Sequence, residues 1–167
     1  NYQHLDDNEV RGSISYVPQD NILFSRSVRE NILFGKPDAT DSEILDAVEL
    51  ASFTEDLSRL EDGLDTLVGE RGASISGGQK QRISIARALI KDAEVLILDD
   101  SLSAVDTKTE QAIIRNIKEN RKNKTNIIVS HRLSAVKNAD QIIVMDEGKI
   151  TERGTHDELM NEHGWYN

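Results

Sequence analysis

The chain has 167 residues, 37% hydrophobic and 30% charged, which suits one ordinary core and is too apolar for a disordered segment. Its formal net charge of −10 argues against a sequence-independent grip on nucleic acid, which rests on a basic surface. No apolar run exceeds four residues, so none reads as a membrane-spanning helix, and the lack of cysteine excludes disulfides, thiolate metal sites and a cysteine nucleophile. The first residue is Asn1 rather than Met, with no signal-like stretch behind it, so a piece of a longer protein is expected.

Short β-type runs alternate with longer helical ones, the pattern of an α/β domain with a mostly parallel sheet. Ser13 to Val17 reads as a strand ended by Pro18-Gln19. Ser27-Val28-Arg29-Glu30 and Thr40-Asp41-Ser42-Glu43 have the Ser/Thr-x-x-Glu form of a capping box, in which the N-cap hydroxyl and the glutamate satisfy each other's backbone amides. The second opens an amphipathic helix with Ile44, Leu45, Val48 and Ala51 on one stripe. Another helix is expected over Phe53 to Leu60, with Gly63 as its stop signal, so residues 20 to 75 read as a helical insertion without strands. From Gly77 a helix runs to about Lys91 with Ile83, Ala86, Leu89 and Ile90 inward.

Val95 to Leu98 and Ile127 to Val129 are uninterruptedly apolar, as expected of parallel strands buried on both faces. Between them Asp106 can cap a helix over Thr107 to Arg121 carrying Ile113, Ile114 and Ile117; the cations at Arg121, Lys122 and Lys124 then offset its dipole. Gln141 to Met145 and Lys149 to Arg153 form a hairpin through Glu147-Gly148. Thr155-His156-Asp157-Glu158 is a third capping box, opening a last helix that Gly164 closes. His4, His156 and His163 have no ligand-like spacing, and Trp165 and Tyr166 read as packing or tail.

In open α/β sheets ligands sit beyond the carboxyl ends of the strands, and here those ends are polar. One strand ends in Asp99-Asp100, one in Ser130-His131 and one in Pro18-Gln19. Each alone has an ordinary structural explanation, as a turn, a cap or a packed histidine. Together on one rim they suit a phosphate and a hydrated divalent cation, since Mg²⁺ takes oxygen ligands and keeps several waters. Ser76-Gly77-Gly78-Gln79 enters a helix whose start offers free N–H groups to an anion, although a lone Ser-Gly-Gly is equally a capped turn.

Gln19 in YVPQD, ISGGQ at Ile75 to Gln79, VLILDD at Val95 to Asp100, SAVD at Ser103 to Asp106, and His131 occur in this order. They resemble the Q-loop, signature motif, Walker B, D-loop and H-loop of an ABC-transporter nucleotide-binding domain, over essentially the whole chain. The resemblance implies an α/β P-loop NTPase (RecA-like) core with a mostly parallel sheet and an inserted α-helical subdomain. It divides the chain into partial ATPase core (1–19), helical subdomain with the signature (20–90) and the C-terminal part of the core (91–167).

It further implies ATP and Mg²⁺ as cofactors, and an ATPase in the full-length protein. Asp99 and Gln19 would hold Mg²⁺; Gln19, Asp100 and His131 would be the catalytic set. Ser76, Gly77, Gly78 and Gln79 would close over ATP bound to an opposing domain, with Ser103 and Asp106 at that interface. LVGERG at Leu67 to Gly72 is similar to the exporter loop that precedes the signature, where Glu70 would face the membrane domains' coupling helices. NILFSRSVRENILFG at Asn21 to Gly35 is also exporter-like; Phe24 would line a docking groove, whereas Ile32 and Leu33 are core. The implied partners are the transmembrane domain of the same protein and a second nucleotide-binding domain, at the cytoplasmic face of the cell membrane.

Two departures stand out. No stretch fits the G-x-x-x-x-G-K-[ST] template of Walker A. The family places that loop and a central strand upstream of the Q-loop, so the N-terminal part of the core is expected to be missing, the sheet to have an open edge, and the piece to bind ATP poorly or not at all. Asp100 stands where the family has a glutamate that polarises the attacking water. The signature, with Ile75 for leucine, is nearly intact. This combination resembles the degenerate-site half of a heterodimeric exporter, with a homodimer that tolerates aspartate as the other possibility. A soluble ABC ATPase of DNA repair or the ribosome is the alternative function. Gln19 and Ser76 are only 57 residues apart with no heptad array, which disfavours the DNA-repair type with its long coiled coil.

Overall fold

The computed structural model describes residues 6–69 and 74–167, in two compact units, 1–129 and 130–167. Glu70 lies outside the described residues.

The first unit opens with α1 (Asp7–Ser13), N-capped by Asp6, a helix for which the sequence reading had no signal. It leads into β1 (Ile14–Val17), and the helical segment follows as α2 (Val28–Leu33), α3 (Asp41–Leu50), α4 (Thr54–Arg59), a 3-10 turn (Gly63–Asp65) and α5 (Gly77–Leu89). Then come β2 (Val95–Asp99), α6 (Thr107–Asn120) and β3 (Thr125–Val129). The three strands form a parallel sheet in the order β1-β2-β3, with Ile14 opposite Val95 and Val95 opposite Thr125. Parallel neighbours require long crossovers, and the helices supply them.

Both expected capping boxes in this unit form, at Ser27/Glu30 and Thr40/Glu43. The α3 stripe is Ile44, Ala47, Val48 and Ala51; Leu45 is exposed, because the 3.6-residue period puts Ala47 rather than Leu45 beside Ile44 and Val48. Helix α4 is shorter than expected. Its cap residue Leu60 is already extended, and Gly63, at φ 51°, opens the 3-10 turn instead of ending the helix. The segment also holds one antiparallel bridge, Ser27 to Leu67.

Helix α5 buries Ile83, Ile85, Ala86 and Leu89 between the other helices and the sheet, in one core with Val28, Ile32, Phe53, Leu96, Leu98 and Ile113. The sheet is buried on one face only: Ser15, Val17, Leu96 and Leu98 point into the core, whereas Tyr16, Ile127 and Val129 on the other face are exposed. The expectation of strands covered on both sides is corrected accordingly. Arg121 is the C-cap of α6, but its role is a buried brace more than a surface cation: Nε donates to Asn126 Oδ1 and Nη2 to the Ala93 carbonyl, both at 2.8 Å.

The second unit consists of α7 (Leu133–Val136), the hairpin of β4 (Ile142–Asp146) and β5 (Lys149–Gly154), and α8 (His156–Asn161). Glu147 and Gly148 both have positive φ, 45° and 74°, the requirement of a two-residue turn whose twist matches its strands. The capping box at Thr155/Glu158 forms. Helix α8 ends two residues before His163, so Gly164 does not close it; a Cβ there would lie 2.6 Å from the Glu152 carboxylate.

Candidate functional site

At the carboxyl ends of β1 and β2, three expected residues meet. Gln19 Nε2 donates to Asp100 Oδ2 at 3.3 Å, linking the segment after β1 to the segment after β2. Asp100 adopts φ 45°, a left-handed conformation that aspartate tolerates better than most residues, and its backbone N–H donates to the Val129 carbonyl at 2.9 Å. The turn after β2 is thereby pinned to the end of β3. Asp99 is the last residue of β2, and Oδ2 accepts the Tyr16 hydroxyl at 2.9 Å. That hydrogen bond, with the desolvation and the Asp99 charge behind it, raises the Tyr16 pKa above its ordinary value.

Tyr16 was not singled out from sequence. The signal was the pairing register: Tyr16 is opposite Ile97, so it shares a sheet face with Asp99, two residues further on. His131 is exposed and follows β3 by two residues, within the second unit.

The donor set of this rim is made of carboxylate and amide oxygens. Among the described residues there is no group of three or more His, Cys, Asp and Glu able to cage a metal ion. Mg²⁺ needs no cage, because it stays largely hydrated on one or two carboxylates, so Asp99 with Asp100 fits that ion better than a soft transition metal.

The second assembly is the start of α5. Ser76 is its N-cap: Oγ accepts from Gln79 N at 3.2 Å, and Gln79 Oε1 accepts from Ser76 N at 2.8 Å, a fourth capping box. The hydroxyl thus accepts from the helix and keeps its own proton for an outside acceptor. Ser76 and Gly77 are exposed. Gly78 has an internal reason to be glycine, since a Cβ would stand 2.9 Å from the Ala104 carbonyl oxygen. Gly77 has none of comparable force: its Cβ would meet only the Ala104 methyl, at an ordinary 3.5 Å.

The loop that α5 touches is the SAVD segment. Gln81, missed by the sequence reading, joins them: Nε2 donates to Ser103 Oγ at 3.2 Å, and Oε1 accepts from Ala104 N at 2.9 Å. Asp106 ends that loop as the N-cap of α6, accepting from Lys108 N and Thr109 N at 3.0 Å. The Thr109 hydroxyl and amide lower its pKa.

The Phe24 and Phe34 rings lie 4.9 Å apart, tilted by 46°, along a groove of about 400 Å³ between β1 and α5, which Ile22 and Tyr16 also line. Ile32 is fully buried and Leu33 packs against the core, as expected. Arg87 of α5 lies over the Phe24 ring at 5.2 Å and donates to the Asn31 and Ile22 carbonyls and to Asn31 Oδ1. It ties the segment after Gln19 to α2 and α5.

With this geometry in hand, the chain's relatives are informative. The family model described as ABC transporter matches residues 1–103, and the chain belongs to that family. It is 63% identical over 164 residues to the probable multidrug resistance ABC transporter ATP-binding/permease protein YheI of Bacillus subtilis (strain 168), covering 98% of this chain and 28% of that protein. It is 53% identical over 156 residues to the multidrug resistance-like ATP-binding protein MdlA of Escherichia coli (strain K12), 93% of this chain and 26% of that protein. A structure of a bacterial Atm1-family ABC exporter with ATP bound superposes with a TM-score of 0.92 at 39% identity, covering 98% of this chain and 29% of that one. The chain therefore spans less than a third of each of these proteins. The fold is that of the P-loop NTPases of ABC transporters, with its parallel sheet.

Proposed function

We propose that the chain is part of the nucleotide-binding domain of an ABC exporter, in which ATP draws two such domains together and hydrolysis separates them, moving membrane helices that pass a substrate outward. Residues 1–19 and 91–167 are then ATPase core and 20–90 the helical subdomain with the signature. The observation that carries this reading is Gln19 on Asp100 beside Asp99 at one rim, in a chain whose exposed Ser76-Gly77 tip has no internal need for its first glycine.

In this reading Asp99, with Gln19, holds hydrated Mg²⁺, which when bound offsets phosphate charge. Asp100 accepts a hydrogen bond from the attacking water, and Gln19 keeps that carboxylate turned to the rim. His131 donates toward the γ-phosphate. Ser76 donates its free O–H, and Gly77 and Gly78 their backbone N–H groups, to ATP held by the opposing domain; Gln79 caps that tip. Ser103 and Asp106 lie at the domain interface. The groove of Phe24 and Phe34 faces the membrane domains of the same protein, at the cytoplasmic side of the membrane, and Glu70 is assigned to their coupling helices. Asp100 in place of glutamate, beside a near-intact signature, supports a slow site here and a heterodimer partner whose site this tip completes. The 167 residues alone lack a Walker A stretch and are inactive. The soluble-ATPase alternative draws no support from the relatives, one of which is named as an ABC transporter ATP-binding/permease protein.

The test is ATP hydrolysis and substrate efflux by the full-length protein, with its partner, in lipid vesicles. Ser76→Ala, acting on the partner's site, is expected to lower hydrolysis by at least about tenfold, as loss of a transition-state contact does, and His131→Ala, in the slow site, by less. Full activity in both variants would overturn the reading.

A further inference from the structure

The capping box at the tip of α5 is itself held from outside the helix. Gln79 Oε1 accepts from Ser76 N, while the other end of the same amide, Nε2, donates to Asp56 Oδ1 of α4 at 2.9 Å. A carboxylate can only accept and a backbone N–H can only donate, so a single orientation of the Gln79 amide satisfies both neighbours. Turned over, it would set oxygen against oxygen and N–H against N–H. Asp56 thus selects the orientation in which Gln79 restrains Ser76.

Asp56 is in turn fixed. Its side chain is only 18% exposed, and Arg82, one turn further along α5, donates to Asp56 Oδ2 at 2.5 Å, to the Ser52 carbonyl at 2.9 Å and to the Gly78 carbonyl at 3.2 Å. The Arg82 guanidinium also lies 5.6 Å above the Phe53 ring. Burial disfavours the charged carboxylate, but hydrogen bonds from Gln79 and Arg82 outweigh it and hold the Asp56 pKa below its ordinary value. Two helices therefore brace the backbone of one exposed N-cap residue, more polar wiring than capping a helix end requires.

We propose that Asp56 is a positioning residue for the Ser76-Gly77 tip, acting through Gln79 to set the tip's geometry before a nucleotide from the opposing domain reaches it. This rests on the tip being a nucleotide contact. When the relay is cut, the Ser76 backbone samples other conformations, and the energy of closing on ATP must first restore the productive one. The cost falls on apparent ATP affinity more than on turnover.

The experiment measures steady-state hydrolysis against MgATP concentration with the full-length protein and its partner in lipid vesicles. Asp56→Leu is expected to raise KM about three- to tenfold, the scale of one net hydrogen bond, with a smaller change in kcat. Gln79→Glu keeps a capping-box side chain but removes the donor to Asp56 and sets two carboxylates together, so it should raise KM as well. Asp56→Asn added to Gln79→Glu restores a donor at that contact and should return KM toward wild type, a rescue that a merely stabilising role would not give. Should Asp56→Leu fail to fold, the Gln79→Glu variant and its rescue decide the matter alone. Ser76→Ala serves as the reference: if hydrolysis survives it, the tip is not a nucleotide contact and the relay falls with it. If Ser76→Ala abolishes hydrolysis while Gln79→Glu leaves KM unchanged, or Asp56→Asn brings no rescue, the relay alone is refuted.

Discussion

Two adjacent glycines illustrate how far single residues can be interpreted. Gly78 is a packing glycine, and an added methyl would meet the Ala104 carbonyl oxygen at 2.9 Å. Gly78→Ala is expected to destabilise the fold by about 1–3 kcal/mol through overpacking, whereas Gly77→Ala, at an exposed helix start, should leave Tm nearly unchanged. If the tip closes on a nucleotide, Gly77→Ala will nonetheless lower ATP hydrolysis in the full-length protein; thermal melts beside activity assays separate the two effects. The same scale bears on Asp100. It is about 1.5 Å shorter in reach than glutamate, and a displacement near 1 Å can cost on the order of 10²-fold in rate. Asp100→Glu should therefore speed hydrolysis at this site by about ten- to a hundredfold, read as a rise in the ATPase rate of the full-length pair. An unchanged rate would mean that another residue limits this site.

At the scale of elements, four helices start with reciprocal caps, three of them closed by a glutamate, and this shapes the acid stability of the fold. Lys36 and the Thr40 amide and hydroxyl hold the Glu43 pKa at about 2, against an ordinary 4.5. The Ser27 amide and the Arg26 guanidinium lower Glu30, and the Thr155 amide and hydroxyl lower Glu158. A carboxyl depressed in the folded state stabilises above its unfolded value, and that contribution disappears as pH falls through the folded value. For Glu43 the loss runs from pH 4.5 down to about 2. A pH series of melting temperatures should show Glu43→Gln lowering Tm at pH 7 and converging on wild type toward pH 2, which flattens the acid limb. An acid limb identical to wild type would show that the cap contributes nothing. These caps were legible because a capping box is a local signal four residues long. The misplacement of Leu45 was a misreading of the helical period, whereas the early end of α4, with Leu60 already extended, shows where local signals fail.

For the whole molecule, the notable feature is a three-stranded sheet with only one face in the core. Tyr16 and Ile127 are apolar neighbours across β2 on the open face, 54% and 45% exposed, with Val129 at 47%. No stretch of the chain supplies the glycine-rich cradle and lysine that hold triphosphate in P-loop NTPases. Titration calorimetry should accordingly find MgATP binding to the 167-residue chain at least about 10²-fold weaker than to the full-length protein, since a phosphate cradle and its lysine contribute several charge-assisted hydrogen bonds. Equal affinity would mean that the 167 residues suffice without such a cradle.

By itself the sequence determined the α/β class, the order of the strands and of the helices other than α1 and α7, the capped helix starts and the family, because each is written in short-range patterns or in a fixed succession of motifs. Tertiary structure alone decided that Tyr16 bonds to Asp99, that Gln81 joins the signature helix to the SAVD loop and that Asp56 orients Gln79. Those pairs are 22 to 83 residues apart along the chain. Hydrogen bonding across such distances depends on strand register and helix packing, which arise from the folding of the whole core and leave no periodic trace in the chain.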